Sequence, residues 1–265
     1  MHTDQDLLFR DYRPYDESKI RLKRINSGAA NAREMENMDK RCDEILNSYT
    51  LAQYVSAKRG LAVAANEIEA ILDEFAIPIS GRVLEFGAGI CKLSAVLSRR
   101  DNIENITCLD FSETLLRDIA PRAISYLGGN LDKIDFLVGD MNRIEEVPGE
   151  FDWVVCYGAV HHLMSPEQFF SKLRQKLKPA GRVLCLDEPT LPEIVLPYKE
   201  LMAYLRSVEL KRSQGENENV YRMSKYRRMV RPWFTLEDLT RNKYERRMRY
   251  WTKIVFKAHF VLTPT

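Results

Sequence analysis

The sequence is poor in paired cysteines. Its 265 residues carry five, Cys42, Cys91, Cys108, Cys156 and Cys185, with no Cys-x-x-Cys among them. An odd, scattered set excludes a disulfide framework as the organising device and fits a reducing compartment. Four of the five lie in or beside apolar runs, where cysteine behaves as a small buried hydrophobe. No His or Cys spacing of a metal site is present, so no metal is expected. A run of ~18 apolar residues is also lacking, so no membrane span is expected. The first ten residues, MHTDQDLLFR, are too polar for a signal peptide. A soluble, cytoplasmic protein is the expectation. Excess charge is missing too: the formal net charge is +2, so the chain as a whole is no polyanion binder by charge alone. There is no internal repeat and no low-complexity segment.

What is present is core. At 45% hydrophobic, the chain can form one large α/β domain or two small ones. Its organising stretch is Gly81 to Cys91, GRVLEFGAGIC. A short apolar run ends at Glu85-Phe86, Gly87-Ala88-Gly89 breaks it, and from Ile90 the apolar residues Leu93, Val96 and Leu97 recur at helical spacing. Strand, glycine turn and helix make the opening βα unit of a nucleotide-binding sheet. Glycines there let the backbone pass close to a ligand whose polar end meets the first N–H groups of the helix. A third glycine is lacking: position 92 is Lys92, which argues against a pyrophosphate pressed on the turn.

Alternating units follow. Strands are expected at Ile106–Asp110, Ile134–Val138, Phe151–Tyr157 and Arg182–Asp187. Helices are expected at Leu115–Leu127, capped by Ser112 and bent at Pro121, and at Pro166–Leu177. This rhythm predicts an α/β fold with a Rossmann-like, doubly wound sheet. Before it, residues 1 to about 30 read as a polar arm, Asn31–Asn47 as a charged helix, and Leu51–Phe75 as one or two helices with Leu61, Ile68, Leu72 and Phe75 on one face. After it, Thr235–Arg241 reads as a short helix. Tyr244–Trp251 and Ile254–Thr263 read as a terminal hairpin.

The acids at strand ends are the informative residues. Asp110 follows Gly89 by the spacing at which a carboxylate accepts hydrogen bonds from ribose hydroxyls; the alternative is an N-cap on the next helix. Asp140, after the third strand, suits the exocyclic amine of an adenine, with Met141 beside the ring; the alternative is a plain turn. Glu85 is buried by its context and needs a partner.

Together VLEFGAGIC, CLDFS, VGDM and FDWVVCYGAVHHL resemble the successive motifs of the class I S-adenosylmethionine-dependent methyltransferases. The likeness is to the small-molecule branch that includes quinone-biosynthesis, natural-product and sugar methyltransferases, and it covers about residues 50 to 190. It implies S-adenosylmethionine as cofactor. Glu85, Gly87 and Gly89 would surround the methionine portion, Asp110 would hold the ribose with Phe111 flanking the adenine, and Asp140 and Met141 would take the adenine edge. Tyr157 and Gly158 would offer backbone groups to the methionine amine. The resemblance also implies a seven-stranded sheet with an antiparallel last strand. The domain plan it suggests is a cofactor-covering arm and helix at 1–50, a cofactor-binding core at 51–189, a helical substrate lid at 190–232, and a helix and hairpin completing the sheet at 233–265.

His161 and His162 stand where substrate would meet the methyl group, and imidazole titrates near neutrality, so either is a candidate base; the alternative is a packing role. In the lid, nine Lys or Arg and five Glu accompany the candidate lining residues Tyr198, Tyr221, Arg222, Tyr226 and, just beyond, Trp233. Arginine with aromatics suits a planar or anionic small molecule, against the commoner alternative of a solvated helical face. The expected partner is thus a small-molecule methyl acceptor, and the composition admits a homodimer. Arg241–Lys257 carries seven positive charges against one negative, which keeps RNA methylation as an alternative. Against it, no Asn-Pro-Pro-Tyr motif follows the fourth strand and no RNA-binding module is visible. A non-catalytic cofactor-binding subunit is the remaining alternative. NAD chemistry is disfavoured by Lys92 and by the lack of a Tyr-x-x-x-Lys pair.

Overall fold

In the computed structural model, residues 16–25, 61–191, 218–240 and 256–265 are described, with isolated positions 40, 202, 205, 208 and 209. The described residues fall into two compact units, divided between Gly139 and Asp140.

The first unit holds four parallel strands in the order β1-β4-β3-β2: β1 (Arg21–Arg24), β2 (Gly81–Phe86), β3 (Ile103–Asp110) and β4 (Ile134–Val138). From Val83 to Phe86 every residue of β2 is buried, alternation being absent as in a strand covered on both faces. Helix α1 (Leu61–Glu74) buries Leu61, Ala64, Ala65, Ile68 and Leu72 along one face. It is tied to the end of α2 (Lys92–Ser98) by ion pairs from Arg99 to Glu69 at 2.8 Å and from Arg100 to Asp73 at 3.2 Å. The expected helix at 115–127 comes in two pieces. A wide turn over Leu115–Ile119 closes with the Ala120 N–H on the Leu115 carbonyl, and α3 (Ala120–Tyr126) then restarts with Pro121 in its first turn. The proline lacks an N–H, and the first turn of a helix is where that costs nothing.

The second unit holds β5 (Phe151–Tyr157), β6 (Leu177–Leu191), β9 (Phe256–Pro264) and β8 (Phe234–Asp238) in that order, with β7 (Tyr221–Arg222) beside the end of β6. β5 and β7 run parallel to β6, whereas β9 runs antiparallel to both β6 and β8. Helices α4 (Pro166–Arg174) and α5 (Met223–Val230) complete it. The fold class is the expected mixed α/β, Rossmann-like one, with a largely parallel sheet and an antiparallel final strand.

Two expectations are corrected. Part of the N-terminal arm is a strand: Arg21–Arg24 pairs with β4, anchored by ion pairs from Arg21 to Asp135 and from Lys19 to Asp132. Its RLKR sequence hides this, because an edge strand with a mostly exposed face needs no apolar alternation. The expected helix at Thr235–Arg241 is instead strand β8. Thr235 and Asp238 imitate a capping signature, but Phe234 and Leu236 are buried while Thr235 and Glu237 are exposed, a two-residue period. It is β8, therefore, that pairs with β9 among the described residues. The expected strand at Tyr244–Trp251 and the helix at Asn31–Asn47, apart from Lys40, lie outside them.

Candidate functional site: a glycine turn and a histidine loop

In the first unit the expected residues gather at the C-terminal ends of β2 and β3. Gly87 and Gly89 have φ of +60° and +53°, left-handed values that glycine adopts without steric cost. A β-carbon at Gly89 would meet no described residue within 4 Å, so among the described residues the turn is open on that side. Asp110 holds the turn: its Oδ2 accepts the Gly89 N–H at 2.8 Å and its Oδ1 accepts the Ser112 N–H at 3.0 Å. Burial pushes the Asp110 carboxyl above its ordinary range, against the pull of those N–H groups. The N-cap expected at Ser112 is found, since its Oγ accepts the Leu115 N–H at 3.2 Å. Phe111, half-buried, follows Asp110 at the same edge.

Glu85 finds its partner in α2. It accepts the Ser94 N–H at 3.0 Å and the Ser94 hydroxyl on the same oxygen. The N-cap residue of that helix, Cys91, makes no side-chain cap bond. Glu85 therefore caps α2 from the neighbouring strand and places a carboxyl at the positive end of the helix. Burial still dominates and lifts its pKa to about 7.

In the second unit the loop after β5 carries Tyr157, Gly158, His161 and His162. A residue not singled out in the sequence organises it. Glu188, on β6, accepts the N–H groups of Ala159 at 2.8 Å, Val160 at 2.9 Å and His161 at 3.2 Å, and contacts His161 Nδ1 at 3.0 Å. Because a carboxylate can only accept, Nδ1 carries the proton and Nε2 is left with the lone pair. Burial alone pushes the His161 pKa down, but the Glu188 bond and charge, helped by Glu218, bring it above the ordinary value. Burial pushes Glu188 up, and His161 with the loop N–H groups brings it below the ordinary range. A bulge in β6 aims Glu188 at this loop. The register with β9 shifts between Cys185 and Glu188, and Asp187 there has φ +61°. Asp187 is fixed by an ion pair to Lys257 and by its N–H on His259 Nδ1 at 3.1 Å.

Glu218 stands beside the histidines, 3.9 Å from both His161 Nε2 and His162 Nε2. Sequence reasoning missed it because it lies far downstream, among the charged residues of the expected lid. Glu188 was within reach of the rule that found Asp110, an acid at the end of a buried strand. Asp140 accepts the Asn142 N–H at 2.8 Å and its side-chain amide at 2.9 Å, while Asn142 Oδ1 accepts the Met164 N–H at 2.9 Å. Met141 opens the short helical turn that follows.

The expected substrate residues are dispersed. Tyr226 is fully buried, edge-to-face with Tyr221 and tilted against Phe260, with its hydroxyl donating to the Pro189 carbonyl at 3.3 Å. That is packing in the core of the unit. Tyr221 is buried, with Lys225 Nζ 4.5 Å from its ring centre, and burial pushes its hydroxyl up to about 12. Arg222 and Trp233 are half-buried. Tyr198 lies outside the described residues.

Comparison with known proteins bears on this geometry. Residues 84–185 match the family described as a methyltransferase domain. That segment is thus similar to a methyltransferase domain. Its curated relatives include a malonyl-[acyl-carrier protein] O-methyltransferase from Prosthecochloris aestuarii, 30% identical over 38% of this chain and 37% of that protein. Another is a ubiquinone/menaquinone biosynthesis C-methyltransferase from Desulfotalea psychrophila, 26% identical over 46% of this chain and 47% of that protein. The chain spans less than half the length of these curated relatives. Among solved structures, a Haemonchus contortus phosphoethanolamine N-methyltransferase with S-adenosylhomocysteine has a similar fold. Its TM-score is 0.55 at 17% identity, over 75% of this chain and 52% of that one. The first unit offers a glycine turn with no described residue near one side of Gly89, and Asp110 presents its carboxylate oxygens at the end of β3. No described helix is long and apolar enough to cross a membrane.

Proposed function

We propose that this protein transfers the methyl group of S-adenosylmethionine to an oxygen, nitrogen or carbon of a small-molecule metabolite. The observation that carries the reading is the Asp110 carboxylate locking the Gly89 turn at 2.8 Å with open space beside it, inside a methyltransferase domain. Glu85, Gly87 and Gly89 would hold the methionine portion, Asp110 and Phe111 the ribose and adenine, Asp140 and Met141 the adenine edge, and Tyr157 and Gly158 the amine. The sulfonium is already an activated leaving group, so holding the acceptor in line with the methyl supplies much of the acceleration.

The His161 loop supports a role in handling the acceptor's proton. Glu188 fixes one nitrogen and leaves Nε2 as the base, which favours His161 over His162 for that task. The names of relatives that act in quinone biosynthesis or on an acyl-carrier protein support a small or carrier-bound acceptor. Tyr198, Tyr221 and Arg222 in the lid and Trp233 just beyond it remain the proposed lining, with Tyr226 supporting them from the core. Basic residues 241–255, on which RNA methylation would rest, lie outside the described residues, so no structural observation favours that reading.

Calorimetry with S-adenosylhomocysteine is the decisive experiment, followed by turnover against metabolite pools. Micromolar binding that is lost in Asp110→Ala supports the proposal. Absence of binding to a folded protein overturns it, and binding without turnover on any pool leaves the non-catalytic subunit in its place.

A further inference from the structure

The geometry points to a divalent transition-metal site formed by His161, His162 and Glu218 in the second unit. Among the described residues this is the group of side chains able to close around a cation: one donor atom from each lies within 4.8 Å of the other two. His161 Nε2 is 3.9 Å from Glu218 Oε2, and His162 Nε2 is 3.9 Å from the other oxygen, Oε1. Metal–nitrogen and metal–oxygen bonds of about 2.0–2.2 Å put tetrahedral donors about 3.4 Å apart, so closure on a cation draws these side chains together by up to about 1.4 Å from the 4.8 Å that bounds them.

The group is built rather than coincidental. Glu188 accepts the proton of His161 Nδ1 at 3.0 Å, which fixes the ring and turns the Nε2 lone pair toward Glu218. A carboxylate behind a metal-binding imidazole is the usual outer support of such ligands. The same carboxylate pins the backbone of the loop through three N–H groups. The Glu218 segment is docked independently: Asn219 donates both its backbone N–H and its side-chain amide to the His161 carbonyl, each at 3.1 Å. A residue distant in sequence is thereby held against the histidine pair by its neighbour's hydrogen bonds. Side-chain exposures of 11% for His161, 28% for His162 and 34% for Glu218 leave the donors a route from solvent.

Two imidazoles and one carboxylate suit zinc, cobalt(II) or iron(II) rather than calcium or magnesium, which prefer all-oxygen sets. Three protein ligands leave a fourth position for water or for an oxygen or nitrogen of an acceptor. With a cation bound, the Nε2 lone pairs would be held by the metal, which would lower the pKa of a coordinated acceptor so that its proton passes to solvent, and His161 would then be a ligand instead of the base.

The test is titration of chelator-treated protein with Zn2+ alone, followed by calorimetry, and with Co2+ alone, followed by visible absorption. Neither cofactor nor acceptor is present, so failure here leaves the methyl-transfer reading intact. The expected result is one saturable ion per chain and tetrahedral cobalt bands without thiolate charge transfer. His162→Ala and Glu218→Gln, both on half-exposed side chains, should each weaken binding by about a hundredfold while thermal unfolding stays cooperative. No saturable binding, binding that survives either substitution, or a thiolate-to-cobalt band overturns the proposal.

Discussion

Glu85 in the first unit and Glu188 in the second are acids near the C-terminal ends of buried strands, exposed by 1% and 0% respectively. Burial pushes both carboxyls up, yet Glu85 rises to about 7 while Glu188 ends below the ordinary range. The difference lies in the partners. Glu85 takes its N–H and hydroxyl bonds from the single residue Ser94. Glu188 takes three backbone N–H groups and an imidazole. A buried carboxylate stays ionised when its hydrogen bonds replace enough of the water it lost, and one hydroxyamide partner is too few. One acid thus braces a helix start close to neutrality, whereas the other is a fixed charge around which a loop is moulded.

The largest effect that would break this comparison is at Glu188. Glu188→Ala leaves three buried N–H groups and the His161 ring without their acceptor, at a cost of about 3 kcal/mol or more. Urea unfolding measures it. Glu85→Ala, losing fewer bonds from a carboxyl that is partly neutral at pH 7, should cost less than half as much. Equal losses at the two positions would dissolve the distinction.

Ligand affinity provides the next contrast. Asp110→Asn puts an amide N–H against the N–H of either Gly89 or Ser112, so the turn loses a bond besides the charge. Affinity for S-adenosylhomocysteine should fall about tenfold to a hundredfold by calorimetry, the loss associated with one or two charge-assisted bonds. Tyr226→Phe, in the core of the other unit, should leave that affinity unchanged.

The two units also respond oppositely to pH. Glu85 is raised from 4.5 to about 7, so between those values the folded state holds the proton that the unfolded state has released, and its contribution to stability falls as pH rises. His259 is lowered from 6.5 to about 4, chiefly by burial and then by Lys257. Its unfolded form therefore binds the proton first, and its contribution falls as pH drops from 6.5 to 4. Between pH 4.5 and 6.5 the two slopes, each up to about 1.4 kcal/mol per pH unit, oppose one another. Glu85→Gln should leave stability rising with pH across that window, and His259→Gln should leave it falling. Chemical denaturation at several pH values reads both signs.

Much of the frame was legible because it is written locally. Ile134–Val138 and Phe151–Tyr157 are strands with the bounds expected from their apolar runs and flanking turns. Glu85 needed a partner, and Asp110 showed itself by its spacing from Gly89. What stayed hidden depends on residues distant in sequence. Glu188 reaches back 27 to 29 residues to the histidine loop, and Asn219 docks across 58. β1 escaped because its pairing is carried by backbone and ion pairs, while β8 was masked by residues that also read as a helix cap. Tyr226 could be taken for a lining residue because tyrosine suits a binding wall and a packed core equally, and only its neighbours decide.

The smallest effect sharpens the comparison at the level of a single methyl group. Gly89 and Gly158 have nearly the same left-handed φ, +53° and +63°, so alanine at either position strains the backbone by about 1 kcal/mol. Their surroundings differ. A β-carbon at Gly89 meets no described residue within 4 Å, whereas at Gly158 it meets the Asp187 carbonyl at 3.6 Å and His161 Cε1 at 3.8 Å, ordinary contacts. The two substitutions should therefore lower thermal stability alike, by a few degrees. If the open side of the Gly89 turn is where the cofactor lies, Gly89→Ala should in addition weaken S-adenosylhomocysteine binding by more than its stability cost accounts for. Equal stability loss with unchanged affinity in Gly89→Ala would mean that the open space beside the turn belongs to solvent, and the cofactor would have to be sought along another part of the strand ends.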